Sequence, residues 1–207
     1  MSKYPQKSFE QKDFPIDKVS DPRTKKVTRV QLLSEHATMS FLFTSLYFRL
    51  YQRRLRCEHS LGDGLFYIDN RGIKITQEQV EQLNTEFKKI IADSKPITLD
   101  NIPRRELMEH FKKLGDKDKV GVLKAWQDSM IPVIKYEEFI DYVLEPMSTD
   151  KSRMTEFEIR YYMKGVLLRM PTLLNPTSIK EWKDPKVLHM MFHEYEEWGK
   201  LLNVDSV

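Results

Sequence analysis

From Val30 onward, apolar and small positions recur at helical spacing: Leu32, Leu33, His36, Met39, Ser40, Phe43, Leu46, Tyr47 and Leu50. That spacing predicts a helix from Val30 to about Leu55. Arg49, Arg53, Arg54 and Arg56 crowd its expected C-terminal end, where cations interact favourably with the helix dipole. A phosphate-binding patch is the sharper reading of these arginines, but the dipole alone accounts for them. The period then shortens. "RCEHS" and "LFYID" are strand-like and are joined through "LGDG". Thr76 to Gln79 form a capping box, opening a helix to about Ala92 with Val80, Leu83, Phe87, Ile90 and Ile91 on one face.

"PITLDNI" reads as a strand, Pro103 opens the helix "RRELMEHFKKL", and Gly115 closes it. A short helix at 117–126 follows. "IPVIKY", "EFIDYVL" and "EFEIRYYMKGVLLRM" read as three strands, Pro171 and Pro176 bracket a loop, and Asp184-Pro185 starts a last helix through about Leu202. Hairpins with inserted and packing helices predict an α+β fold around a largely antiparallel sheet.

Charge sharpens the N-terminal boundary. Net charge is +3, from 34 basic and 31 acidic residues. Residues 1–30 hold eight Lys/Arg against four Asp/Glu, which leaves −1 for the remainder. The body is therefore no obvious polyanion binder, and the leader reads as a loosely ordered, solvated tail rather than a nucleic-acid or membrane arm. The most apolar stretch, "MSFLFTSLYF", falls well short of the ~18 residues a membrane span needs. The start lacks a secretory apolar segment. One cysteine, Cys57, provides neither a disulfide nor a cysteine zinc site, so the expected compartment is the cytoplasm.

Gly62-Asp63-Gly64 has no third glycine and no following helix, so it reads as a turn and not as a dinucleotide loop. No G-x-x-x-x-G-K-[ST] string exists, so this chain does not transfer a phosphoryl group by itself. His189 and His193 stand one helical turn apart with Glu197 beyond, but further zinc ligands are missing. Beside the apolar face of Val187, Leu188, Met191, Phe192, Tyr195, Trp198 and Leu202, they read as a solvent-facing pair. No G-x-S-x-G elbow is present. Cys57, at a strand start, is expected to be a buried, inert thiol. Tyr67, Tyr161 and Tyr162 suit base stacking less well than cross-strand packing. These residues assign no catalytic group, metal or cofactor.

The order of motifs says more. A long helix, "EHSLGDGLFYID", a capped helix and "KPITLDNIPRRELMEHFK" resemble the second additional domain of threonyl-tRNA synthetases. There a "GFYYD"-like strand follows a helix bearing H-x-x-x-H, and later strands carry D-x-C-x-x-x-H. "EHSLGDGL" (58–65), "GVLLRMP" (165–171) and "EYEEWGKLLNV" (194–204) resemble more closely the copy of this domain fused ahead of the kinase in a uridine kinase-like family. The resemblance spans about residues 30–204. It implies a leader at 1–30, a synthetase-like domain at 31–170, and a loop and helix at 171–207 leading toward a kinase domain.

In the synthetase domain those histidines and the cysteine build a pocket that hydrolyses mischarged tRNA. The resemblance sets His36 at the first histidine and Ser40 at the second, keeps Asp141, and puts Val143 at the cysteine and Met147 at the last histidine. Valine and methionine hold neither a metal ion nor an attacking water as those groups do. What the resemblance leaves is a scaffold lined by His36, Ser40, His59, Tyr67 and Asp141. It implies a non-catalytic accessory domain of a uridine kinase-like protein, with an ATP-binding kinase domain in cis, an RNA or nucleotide ligand and no membrane partner. The alternative is an aminoacyl-tRNA editing-type hydrolase in which His36 and His59 position water and Asp141 orients one of them. A third reading is an interaction module docking through the leader or the final helix.

Overall fold

The computed structural model describes residues 29–184 together with positions 187, 190, 191 and 194. The leader, His189, His193 and Glu197 lie outside the described residues. The elements run α1 (Arg29–Tyr51), β1 (Leu55–Leu61), β2 (Gly64–Asp69), α2 (Gln77–Ala92), β3 (Ile97–Pro103), α3 (Arg104–Lys113) and α4 (Lys117–Ala125). They continue with β4 (Met130–Tyr136), β5 (Phe139–Tyr142), β6 (Glu158–Tyr162) and β7 (Gly165–Arg169). Every strand pairing among the described residues is antiparallel.

The chain divides into two compact units. One takes the residues up to Ser45 and Lys89–Thr155; the other takes Leu46–Lys88 and the residues from Glu156. The expected 31–170 domain therefore contains an interleaved pair. Helix α1 contributes residues to both, its part up to Ser45 to the first and its part from Leu46 to the second.

The first unit is built on the sheet β3-β4-β5. Ile102, Ile131 and Val133 pack on one face against Leu107 and Phe111 of α3 and Val120 and Leu123 of α4. Full burial of Phe111 and Leu123 contributes about 1.5–3 kcal/mol each. Position 139 alternates with Ile140, which joins that core, so Phe139 turns to the opposite face. There its ring meets Phe41 of α1 at 5.5 Å. Gly115 (φ 71°) ends α3, and Asp116 caps α4 by accepting from the Lys119 amide at 3.1 Å.

The second unit is built on the sheet β1-β2-β7-β6. Leu61, Phe66, Tyr162 and Leu167 form a core with Trp182 packed on it. The opposite face carries Tyr67 and Asp69. The Tyr47 hydroxyl of α1 donates to Asp69 at 2.7 Å. The α2 capping box forms as the sequence predicts: Thr76 Oγ1 accepts from the Gln79 amide (3.3 Å), and Gln79 Oε1 accepts from the Thr76 amide (3.0 Å).

Two expectations change. Helix α1 stops at Tyr51, not Leu55, because Gln52 adopts a left-handed conformation (φ 53°) and Leu55 enters β1. Only Arg49 sits in its last turn, so the dipole does not account for Arg53, Arg54 and Arg56. "EFEIRYYMKGVLLRM" is a hairpin, β6–β7, and not one strand. Met163 (φ 42°) and Lys164 (φ 68°) form its two-residue turn, without the Asn-Gly or Asp-Gly pair that usually announces one.

Candidate functional site

In the first unit, α1 presents His36 and Ser40 one turn apart, both half-buried. The chain after β5 is tied to the same turn of the helix. The Thr38 hydroxyl donates to the Ser148 carbonyl (2.8 Å) and accepts from the Ser148 amide (2.9 Å). Nearby, Arg153 Nε donates to the buried Glu35 carboxylate at 2.8 Å. These bonds hold Ser148 on the face of α1 that carries Ser34 and Thr38, whereas His36, two positions from each, points to another side of the helix. Val143 and Met147 are both buried, and the Val143 amide donates to the Pro132 carbonyl at 2.8 Å. The two positions are therefore packed apolar groups. His36 also has no histidine one turn away in either direction: Leu32, buried, precedes it and Ser40 follows.

Asp141 lies on β5, between Ile140 and Tyr142, both packed against the α3–α4 core. Its carboxylate is taken by Lys119 Nζ at 2.5 Å. That ammonium also lies over the Phe111 and Tyr142 rings, 5.1 and 5.7 Å from their centroids. Burial, then the charge of Asp141, pushes the Tyr142 hydroxyl above its ordinary range. An aspartate neutralised this way is engaged as a structural anchor.

His59 and Tyr67 belong to the second unit, and the sheet does not bring them to one face. Phe66 and Tyr67 are consecutive and so point to opposite faces. His59 pairs with Phe66 in register, and its ring lies 5.4 Å from the Phe66 ring. Tyr67 is buried at 1 % exposure on the other face, so it is core rather than pocket lining. A bulge at Glu58 shifts the register between Cys57 and His59, and Cys57 is exposed rather than buried. Val187 and Met191, assigned to the buried face of the last helix, are exposed as well.

The glycine motif has a structural role. Gly62 supplies the positive φ of the turn (63°). Asp63 receives Arg169 Nε and Nη2, both at 2.7 Å. Arg169 also donates to Glu158 and to the Lys180 carbonyl (2.6 Å), and its guanidinium lies 5.1 Å from the Trp182 ring. The bonds to Asp63 push the Arg169 guanidinium above its ordinary range. Tyr162 donates to Asp184 at 2.9 Å; burial and that bond push its hydroxyl up to about 12. "EHSLGDGL" and "GVLLRMP" are thus two halves of one lock, which clamps the irregular segment that follows Pro171 onto the sheet. Arg169 and Trp182 are not among the candidates above; for Arg169 the charged residue inside an apolar strand is a local signal, and for Trp182 there is none.

Among the described residues, no three His, Cys, Asp or Glu side chains converge as a metal site would. No helix of the described residues is long and apolar enough to cross a membrane.

Comparison with known proteins agrees with the motif order. The chain is 28 % identical over 144 residues to the threonine–tRNA ligase of Aquifex aeolicus, a match covering 67 % of the chain and 22 % of that enzyme. It is 26 % identical over 113 residues to the threonine–tRNA ligase of Thermotoga neapolitana (53 % and 17 %) and 26 % over 101 residues to that of Finegoldia magna (48 % and 16 %). The matches thus span 16–22 % of the length of these relatives. No protein-family model matches the chain. The chain carries a threonyl-tRNA-synthetase-like α+β domain.

Proposed function

We propose that this domain is a non-catalytic accessory module, descended from an editing domain and serving a uridine kinase-like phosphotransferase in cis, with an RNA or nucleotide as its ligand. One observation carries the loss of catalysis. The segment that the resemblance assigns to the cysteine and last histidine of the editing pocket carries buried Val143 and Met147 at those positions, and it is bonded to α1 through Ser148 and Thr38. Neither side chain accepts or donates a hydrogen bond that would hold an attacking water. Lys119 meanwhile engages the carboxylate of Asp141.

The kinase half of the proposal is supported by three ordered motifs. Two of them, at 58–65 and 165–171, meet through Asp63 and Arg169. A G-x-x-x-x-G-K-[ST] string beyond position 207 in the natural coding sequence is the expected finding; a coding sequence without one overturns that half.

The loss of editing is tested by incubating the chain with threonine-specific tRNA carrying a non-cognate amino acid. Deacylation is expected at the rate of buffer alone. Accelerated hydrolysis that disappears in His36→Ala overturns the proposal in favour of the editing-type hydrolase.

A further inference from the structure

The four-stranded sheet of the second unit has two ends of different charge. Antiparallel pairing sets the start of β1, the end of β2 and the β6–β7 turn at one end, because Leu55 pairs with Asp69 and Tyr67 with Val166. The backbone ties these pieces together: the Asn70 amide donates to the Arg54 carbonyl (2.9 Å), and the Ile75 amide to the Lys164 carbonyl (3.0 Å). This end therefore gathers Arg54, Arg56, Arg71, Lys74 and Lys164, although Lys164 is some 90 residues from Lys74 in sequence. The opposite end carries Asp63 and Glu158, both turned onto Arg169.

The acids at the basic end are already engaged. The Asp69 carboxylate is fully buried and accepts from Tyr47, Arg53 and the Arg71 amide. Glu58 pairs with Arg56 at 2.5 Å, and the Arg56 side chain remains 65 % exposed. Arg71, Lys74 and Lys164 are exposed. Glu78 and Glu81, on the following helix, are the exposed acids nearest in the chain. The scaffold beneath the cations is fixed: Gly72 takes a φ of 71°, its amide donates to the Asp69 carbonyl at 2.9 Å, and Arg54 rests over the Phe48 ring at 5.2 Å.

We propose that this end of the sheet is a docking surface for the sugar–phosphate backbone of an RNA. Guanidinium forks match phosphate oxygens in pairs, and Arg56 and Arg71 are exposed while Arg54 is half-buried beside them. Exposed Ile73 and Met163 sit beside Lys74 and Lys164, where an unstacked base finds an apolar face. Two such side chains are too few for the apolar face that membrane association uses. The proposal rests on the accessory-module reading only in taking the chain to be a binding domain; it does not depend on editing or on a kinase.

The test is filter binding of labelled tRNA to the full chain from low to physiological salt. It compares the parent, the triple variant Arg71→Ala/Lys74→Ala/Lys164→Ala, and a control with Lys112→Ala/Lys113→Ala/Lys124→Ala on α3 and α4. All six side chains are exposed, and circular dichroism checks each fold. Both variants keep the basic leader, so a loss confined to the triple variant reports the sheet end. The expected result is at least tenfold weaker binding for the triple variant and a change within twofold for the control. The slope of log affinity against log salt should fall by about two, at ~0.7 per phosphate contact for a single strand. Equal losses in both variants, undiminished binding by the triple variant, or no tRNA binding at low salt each overturn the proposal. So does binding to phosphatidylserine vesicles in place of tRNA. The deacylation assay is read separately, so failure here leaves the editing result standing.

Discussion

Arg169 is 3 % exposed at its side chain, and its partners Asp63 and Glu158 are 14 % and 32 % exposed. Arg169→Met keeps much of the apolar stem and removes the fork. It leaves two carboxylates facing each other and detaches the Lys180 carbonyl from the sheet. Removing one partner of a buried pair costs about 3–5 kcal/mol, against a total domain stability of about 5–15 kcal/mol. Asp63→Ala leaves the Arg169–Glu158 pair and the Lys180 bond in place, so its cost should be lower, about 2–3 kcal/mol for two unmade charged hydrogen bonds. The double variant should be little worse than Arg169→Met alone. The assay is urea unfolding followed by circular dichroism, with limited proteolysis reporting release of the chain between Pro171 and Asp184. A coupling of about 2 kcal/mol is the expected outcome of the double-mutant cycle. A coupling below about 0.5 kcal/mol, the range of exposed ion pairs, would refute the lock.

Gly165→Ala should destabilise the second unit by about 1–3 kcal/mol or more, since a Cβ there meets the Tyr67 carbonyl and lies 2.8 Å from the Phe66 ring; a urea midpoint equal to that of the parent chain would contradict the close β2–β7 approach. Burial raises the Asp93 carboxyl, but bonds from Lys151, Tyr136 (2.6 Å) and the Lys95 amide (3.0 Å) outweigh it and hold the group below its ordinary range. A depressed carboxyl stabilises above its unfolded value of about 3.9 and loses that contribution as pH falls through the folded one. Asp93→Asn should therefore lower stability at neutral pH and flatten its acid limb below about pH 4; an unchanged acid limb in urea titrations would show that Asp93 is not the group. Thr76→Ala should cost about 1 kcal/mol, with amide exchange rising in the first turn of α2 and not in its last; protection retained at Gln79 would argue against the capping box.

Local rules made several elements legible in the chain itself. The Thr76–Gln79 box, the Pro103 start and Gly115 stop of α3, and the Gly62 turn each depend on residues within one helical turn, so sequence spacing suffices to read them. The placing of His59 and Tyr67 needed tertiary information. Whether His59 and Tyr67 share a face depends on a one-residue bulge at Glu58 and on the partner opposite each. Helix α1 was read too long because Leu55 fits a helical period as well as a strand, and pairing with Asp69 decided between them.

The sequence by itself determined the α+β class, the caps and the turn glycines, since each rests on side-chain chemistry or on backbone preferences a few residues apart. Only the tertiary structure decided that Asp63 and Arg169 form one buried fork, that Lys119 neutralises Asp141, and that Arg54, Arg71 and Lys164 crowd one end of a sheet. Those outcomes depend on strand direction and register, which place residues 20 to 110 positions apart within reach of each other, and burial then makes the resulting charge contacts strong enough to matter.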